Sequence, residues 1–325
     1  MIKISILIVL LPHLVYTIVR GTTEIIQESN TNSNNNNNNN YKCGITSYYT
    51  DSTNSLIANG EYALPGQWPW VAVVIIDFTS MMYYLPEYGL FLCSGSVLTN
   101  RHILTGSTCL QTHGIGGAKN TNHKKFSIIP HNLKVALGQF KLRRFKNGHN
   151  YIMGTVNRKV KYITYDSDLA ILILRTPVEF SPFIRPICLW SGLTDLENVV
   201  DRTGFVVGWA FNESNFRDIL VPEPRMLRIP IVNQVTCLRN QQVFHTYTSE
   251  RTFCAGLLGE SGPCYGDHGS GLVLFNNSTG RYHLRGVMSE FLYHNLGSTC
   301  NGSKYSVYVD VAQYLSWIDE LISTM

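Results

Sequence analysis

Eight cysteines are scattered from Cys43 to Cys300, and no two of them form a C-x-x-C pair. That distribution constrains the fold more than any other feature of the chain. Zinc sites draw on clustered thiolates, so dispersed cysteines argue against a metal, and no metal or other cofactor is expected. An even count in a chain that opens like a leader predicts disulfides instead. Spacing alone leaves on the order of a hundred ways to pair eight cysteines.

The leader reading rests on Lys3, the apolar run Ile4 to Leu11, and Val15 to Val19. A basic start followed by a short apolar stretch is a secretory signal pattern, assigned here to residues 1–21, without a clean small-x-small cleavage site at Thr17 or Gly21. The 16 residues from Ile4 to Val19 are interrupted by Pro12 and His13. They fall short of the roughly 20 that span a bilayer, so no membrane span is expected. Residues 22–56 include seven consecutive asparagines, Asn34 to Asn40, and read as a disordered tail carrying Cys43. Four N-x-S/T sequons, at Asn212, Asn276, Asn277 and Asn301, agree with secretion, although the adjacent Asn276 and Asn277 are not both expected to carry a glycan.

From residue 57 onward the chain alternates short Val-, Ile- and Tyr-containing runs with Gly, Pro and Asn punctuation. Such runs occur at Leu90 to Leu98, Leu133 to Phe140, Ala170 to Leu174, Gly204 to Val207, Leu272 to Phe275 and Leu284 to Met288. Many short strands at this spacing predict an all-β sandwich or barrel. The segment from Asp310 through Tyr314, Leu315, Trp317 and Ile318 to Ile322 has apolar residues at helical spacing.

Three motifs carry a family resemblance. Cys264-Tyr265-Gly266-Asp267-His268-Gly269-Ser270-Gly271-Leu272-Val273 resembles the C-x-G-D-S-G-G-P-L-V nucleophile loop of trypsin-like serine proteases. Ile103-Leu104-Thr105-Gly106-Ser107-Thr108-Cys109 resembles their V-L-T-A-A-H-C segment, and Asp168-Leu169-Ala170-Ile171-Leu172 their D-I-A-L-L segment. Gly66-Gln67-Trp68-Pro69-Trp70 resembles the G-x-W-P-W start of the domain. Together with the Leu56-Ile57-Ala58-Asn59-Gly60 start and Val307-Tyr308-Val309-Asp310-Val311, it looks most like arthropod modular serine proteases and their silent relatives. The resemblance implies two antiparallel six-stranded β-barrels, roughly 57–173 and 174–309, closed by a C-terminal helix, in a domain spanning 57–323. It also implies the pairs Cys43–Cys188, Cys93–Cys109, Cys237–Cys254 and Cys264–Cys300, which leave no cysteine over.

The departures from the family pattern matter as much as the match. His268 stands where the nucleophilic serine belongs, Thr108 where the catalytic histidine belongs, and only Asp168 of the triad is retained. A serine hydroxyl needs an adjacent imidazole to take its proton, and threonine has no group that is basic near neutral pH. Removing triad members of this kind lowers the rate by roughly 10⁴ to 10⁶. A swapped pair, with His268 activating Thr108, would put the hydroxyl on the wrong side of the site. Gly266 and Asp267 keep the form of an oxyanion loop. Leu56 before Ile57 offers no basic residue for an activating cut. The specificity pocket has Gly262 at its base and Ser289-Glu290-Phe291 along its wall, where Phe291 replaces a glycine and is expected to block the passage. His102, six residues before Thr108, is not the base, and His113, His123, His131 and His149 read as loop residues.

One positive feature remains. No Asp or Glu occurs between Tyr88 and Tyr165, whereas 11 Lys or Arg lie between Leu110 and Tyr165; as the whole chain carries +4, the rest carries −7. Lys124, Lys125, Lys141, Arg143, Arg144 and Lys146 form two tight groups and predict a surface for a heparin-like polyanion, set against a merely solvated basic face. The expectation is a secreted, non-catalytic serine protease homologue. It would serve as cofactor, decoy or regulator of extracellular protease cascades, as in arthropod immunity, or as a venom or salivary component. Its partners would be proteases, zymogens or their substrates, and no nucleic acid is expected. The rivals are an active serine endopeptidase and a polyanion- or carbohydrate-binding protein.

Overall fold

The computed structural model describes residues 42–47, 61–77, 89–112, 126–138, 142–144, 150–152, 156–209, 223–259, 262–263, 266–290 and 304–324. Twelve strands carry the architecture. The first six are β1 (Val71–Asp77), β2 (Gly89–Val97), β3 (His102–Gly106), β4 (Leu133–Leu137), β5 (Val156–Asp166) and β6 (Leu169–Leu174). They close an antiparallel barrel in the order β5-β6-β3-β2-β1-β4. The second six are β7 (Thr203–Gly208), β8 (Arg225–Val232), β9 (Thr252–Ala255), β10 (Gly271–Asn276), β11 (Arg281–Glu290) and β12 (Ser306–Asp310). They run in the order β8-β7-β10-β11-β12-β9, and β9 pairs back onto β8 to close a second barrel. Closure removes the open edges of these two six-stranded sheets.

The hydrophobic patterning explains which strands lie deepest. Every residue of β3 and of β6 is buried, so these neighbours are covered on both faces. β6, Leu-Ala-Ile-Leu-Ile-Leu, is accordingly a continuous apolar run rather than an alternating one. β3 faces the second barrel, where Gly106 packs beside Gly269 and the Met288 carbonyl. The lead-in to β1 supplies further glue between the barrels. Trp68 packs at 5.5 Å from Phe205 and 5.1 Å from Tyr282, and Phe275 lies 4.9 Å from Tyr282. Aromatic pairs at such distances contribute about 0.5–1.5 kcal/mol beyond their burial.

The strand ends differ from the sequence reading where pairing outlasts hydrophobicity. β11 starts at Arg281 rather than Leu284, because Tyr282 and Arg281 still pair with Phe275 and Asn276 of β10. β4 stops at Leu137 rather than Phe140, with Gly138 at φ +63 just beyond it. The closing helix also begins later than Asp310. Asp310 is the last residue of β12, and its carboxylate accepts from the Ala312 amide to cap a 3-10 turn over Val311–Gln313. The helix α1 then runs Leu315–Thr324.

Disulfides join Cys43 to Cys188, Cys93 to Cys109 and Cys237 to Cys254. Cys264 and Cys300 lie outside the described residues. The Cys43 segment is also held by backbone, since the Gly44 amide donates to Pro186 and the Gly44 carbonyl accepts from Tyr282. The leader and the asparagine run lie outside the described residues. Among the described residues no helix is long and apolar enough to cross a membrane.

One buried ion pair fastens the outer loop of residues 191–194. Arg285 is fully buried and donates to Asp310 at 2.9 Å, to the Thr194 carbonyl at 2.9 Å and to the Leu193 carbonyl at 3.3 Å. Its guanidinium also lies 4.8 Å from the Trp190 ring centroid. Burial pulls the Arg285 pKa down, and the Asp310 charge opposes that pull. Leaving either charge buried alone is costly, so Arg285→Met is expected to lose about 3–5 kcal/mol in chemical denaturation. Arg285→Met combined with Asp310→Leu should lose less than the single change. A single-variant loss under about 1 kcal/mol would contradict this account of the pair.

Candidate active site

The site forms where turns from both barrels meet. A two-residue turn, Ser167-Asp168, links β5 to β6, with Ser167 held at φ 53. A non-glycine residue in that conformation is uncommon, and the neighbouring hydrogen bonds over-determine it. The Ser107 hydroxyl lies 3.0 Å from the Ser167 carbonyl, and the Ser107 amide donates to the Asp168 carbonyl at 2.9 Å. The turn therefore aims the Asp168 side chain at the start of the 3-10 segment Thr108–Leu110.

Asp168 is surrounded by donors. Its Oδ1 faces the Thr108 amide at 2.9 Å, the Thr108 hydroxyl at 2.5 Å and the Ser107 hydroxyl at 2.9 Å. Its Oδ2 accepts from the Ser289 hydroxyl at the end of β11. Three of these groups crowd Oδ1 and one meets Oδ2, and the Ser107 hydroxyl has the Ser167 carbonyl as a second acceptor for its one proton. The Thr108 hydroxyl spends its single proton on Asp168. Among the described residues its hydrogen-bond partner is that carboxylate, with no imidazole or amine bonded to it to act as its base.

His268 faces the same cluster from the second barrel. Its Nδ1 lies 2.7 Å from the Ser289 carbonyl, which can only accept, so Nδ1 carries the proton. Burial pushes its pKa below the ordinary histidine value, opposed by the Ser289 hydrogen bond and the Asp168 charge. The ring is thus neutral at neutral pH. Ser289 connects the two groups, giving its hydroxyl to Asp168 and its carbonyl to His268. The sequence assigned Ser289 to the pocket wall; its link to Asp168 and the role of the Ser107 hydroxyl emerge only from the fold.

The loop carrying His268 is fastened to the first barrel through main chain. The His268 carbonyl accepts from the Ser94 amide at 2.9 Å, and the Gly269 amide donates to Met288 at 2.9 Å. Gly269, at φ +79, has no space for a side chain, because a Cβ would overlap the Ser94 carbonyl and the Thr105 hydroxyl. Gly266 sits at φ +88, and its carbonyl accepts from the Ser94 hydroxyl at 3.3 Å. Asp267 is fully buried and accepts from the Trp209 amide at 3.2 Å. Gly208 makes room for that carboxylate, and any side chain there would collide with it. The Ser270 hydroxyl, almost fully buried, donates to the Val207 carbonyl at 3.3 Å.

Other residues singled out from the sequence are distributed as follows. Gly262 is buried and Glu290, at the end of β11, is partly buried, whereas Phe291 lies outside the described residues. His102 is buried on β3 beside Thr99, whose hydroxyl lies 2.7 Å from its Nδ1. Arg143 and Arg144 belong to the short strand Leu142–Arg144, paired with Asn150–Ile152. Lys124, Lys125, Lys141 and Lys146 lie outside the described residues, as do His113, His123, His149, Asn212 and Asn301. Asn276 ends β10 and Asn277 is exposed beyond it. Among the described residues no cluster of His, Cys, Asp and Glu is positioned to hold a metal.

Burial lowers the pKa of both His268 and His102 below 6.5. The unfolded chain then binds protons more tightly, so this contribution to stability is fully present above pH 6.5 and is lost as pH falls below it. The melting temperature is expected to drop between pH 7.5 and 5.5, and His268→Gln should lessen the drop while His102 preserves part of it. An unchanged pH profile in His268→Gln would contradict the buried, neutral imidazole.

A search of family models matches Trypsin over residues 57–318. Among curated proteins, the chain is 30% identical to Serine protease gd of Drosophila melanogaster, over 79% of this chain and 51% of that protein. It is 28% identical to Proclotting enzyme of Tachypleus tridentatus, over 86% of this chain and 68% of that protein. Clotting factor C of the same species is 27% identical, over 84% of this chain but only 26% of that protein. The chain thus spans about half the length of the first of these relatives and a quarter of the last. With closed twin barrels and a family match across most of its length, the chain belongs to the trypsin family of serine proteases.

Proposed function

We propose that this chain is a secreted member of the trypsin family that works by binding rather than by hydrolysis, as a cofactor, decoy or regulator of extracellular protease cascades. One observation carries the reading: the hydroxyl at Thr108 gives its proton to Asp168, and the residue at the nucleophile position is an imidazole turned toward Ser289. Acyl transfer by this fold needs a nucleophile, a base beside it and an acid that orients the base. Here the acid is engaged by Thr108, Ser107 and Ser289, while the base and the nucleophile are absent from their positions. Two of the relatives are named for clotting, which supports a place among extracellular proteases and their zymogens or substrates.

A polyanion-binding surface is the second reading, supported by the acid-free stretch between Tyr88 and Tyr165 and by Arg143 and Arg144 on a short hairpin. Binding of sulfate groups would proceed mainly through counterion release and weaken steeply with salt. Arginine can hold a sulfate with two parallel hydrogen bonds, which lysine cannot. Elution from heparin should move to lower salt when Lys141, Arg143, Arg144 and Lys146 are changed together to Ser. Identical elution at low salt would leave the charge as a solvated face.

The non-catalytic reading is tested by fluorophosphonate probes, which react with activated hydroxyls. No specific labelling of the purified protein is expected. Labelling that maps to Ser107, Thr108 or Ser270 would overturn it and favour an active endopeptidase.

A further inference from the structure

The sequons at Asn276 and Asn277 overlap, and the hairpin between β10 and β11 treats the two asparagines differently. Asn276 is a structural part of the turn. It is the last residue of β10, partly buried and paired with Arg281 across the hairpin. Its carbonyl accepts from the Thr279 amide at 3.2 Å and the Gly280 amide at 2.9 Å. Its side-chain Oδ1 accepts from the Ser278 amide at 2.9 Å, an Asx turn that ties the amide group to its own backbone. Gly280 completes the reversal at φ +65.

Asn277 has none of these ties. It sits at the tip of the turn, its side chain is exposed, and it makes no hydrogen bond among the described residues. A cleft of about 340 Å³ opens beside the turn, lined by both asparagines together with Trp190, Asn198, Arg202 and Leu274. What separates the two is exposure: the Asn277 side chain faces solvent, where an attached sugar can project, and that of Asn276 is partly buried.

From this difference we infer that Asn277, and not Asn276, is the N-glycosylated residue of this hairpin. The reading rests on secretion, because the modification takes place in the secretory pathway. In the reaction, the Asn277 Nδ2 bonds to the anomeric carbon of an oligosaccharide supplied as a lipid-linked diphosphate. The carbon–oxygen bond to the diphosphate breaks, and the amide gives up one proton. On Asn276 the same bond would place a bulky group on a partly buried side chain at the end of β10, next to the Oδ1 that holds the turn.

The test is site mapping on the full chain secreted from insect cells behind a host leader, with glycans removed enzymatically in ¹⁸O-water so that each formerly occupied asparagine becomes a labelled Asp. The label is expected at Asn277 in the wild type and in Asn276→Gln. It should vanish in Thr279→Ala, which destroys the Asn277 sequon and leaves Asn276-Asn277-Ser278 intact. Label at Asn276, label persisting in Thr279→Ala, or two bare asparagines in the secreted protein would each overturn the inference. Should Thr279→Ala fail to be secreted, the wild-type map decides alone. Retention of the chain behind its own residues 1–21 would count against the secretion reading only.

Discussion

The join between the two barrels is organised by the Asp168 carboxylate. It draws in the Thr108 amide and hydroxyl and the Ser107 hydroxyl from the end of β3, and the Ser289 hydroxyl from the end of β11. Hydrogen bonds to an ionised group contribute roughly twice as much as neutral ones, so this cluster ties the first barrel to the second. The same arrangement that could orient a catalytic imidazole here holds hydroxyls. An acid that completes a triad and an acid that closes a hydrogen-bonded joint differ only in what faces it.

The rest of the site follows from that joint. With Ser289 committed to Asp168, its carbonyl is presented to His268, whose buried, neutral ring donates to it. The loop behind His268 is pinned by main chain to Ser94 and Met288 and needs glycine at 269. The Gly208 backbone leaves room for the buried Asp267 carboxylate. The loop is therefore fastened in one register and carries the imidazole of His268 against Ser289.

How much of this was legible in the sequence depended on the kind of signal. The short apolar runs pointed to a sandwich or barrel, and the three motifs carried the resemblance that implied twin barrels, because those residues are fixed by local pairing and burial. The edges of β4 and β11 were not legible, since Gly138 ends the one while Arg281 and Tyr282 extend the other through cross-strand pairing. The helix start was misread at Asp310 because capping by a carboxylate looks like helix periodicity until the strand partner is known. Thr108, Asp168 and His268 stood out by their motif positions. Ser107 did not stand out as a ligand of Asp168, and Ser289 lies 121 residues from it in sequence, so only the fold brings that pair together.

The central claim is that a trypsin-family fold has been turned to binding by replacing its base and its nucleophile. The most direct measurement is turnover of a broad peptide library by the purified, secreted chain, read by mass spectrometry, beside a Thr108→Ala variant. The account predicts no product peptides above buffer from either protein. Cleavage by the wild type that disappears in Thr108→Ala would contradict it, because it would show that the hydroxyl bound to Asp168 acts as a nucleophile after all.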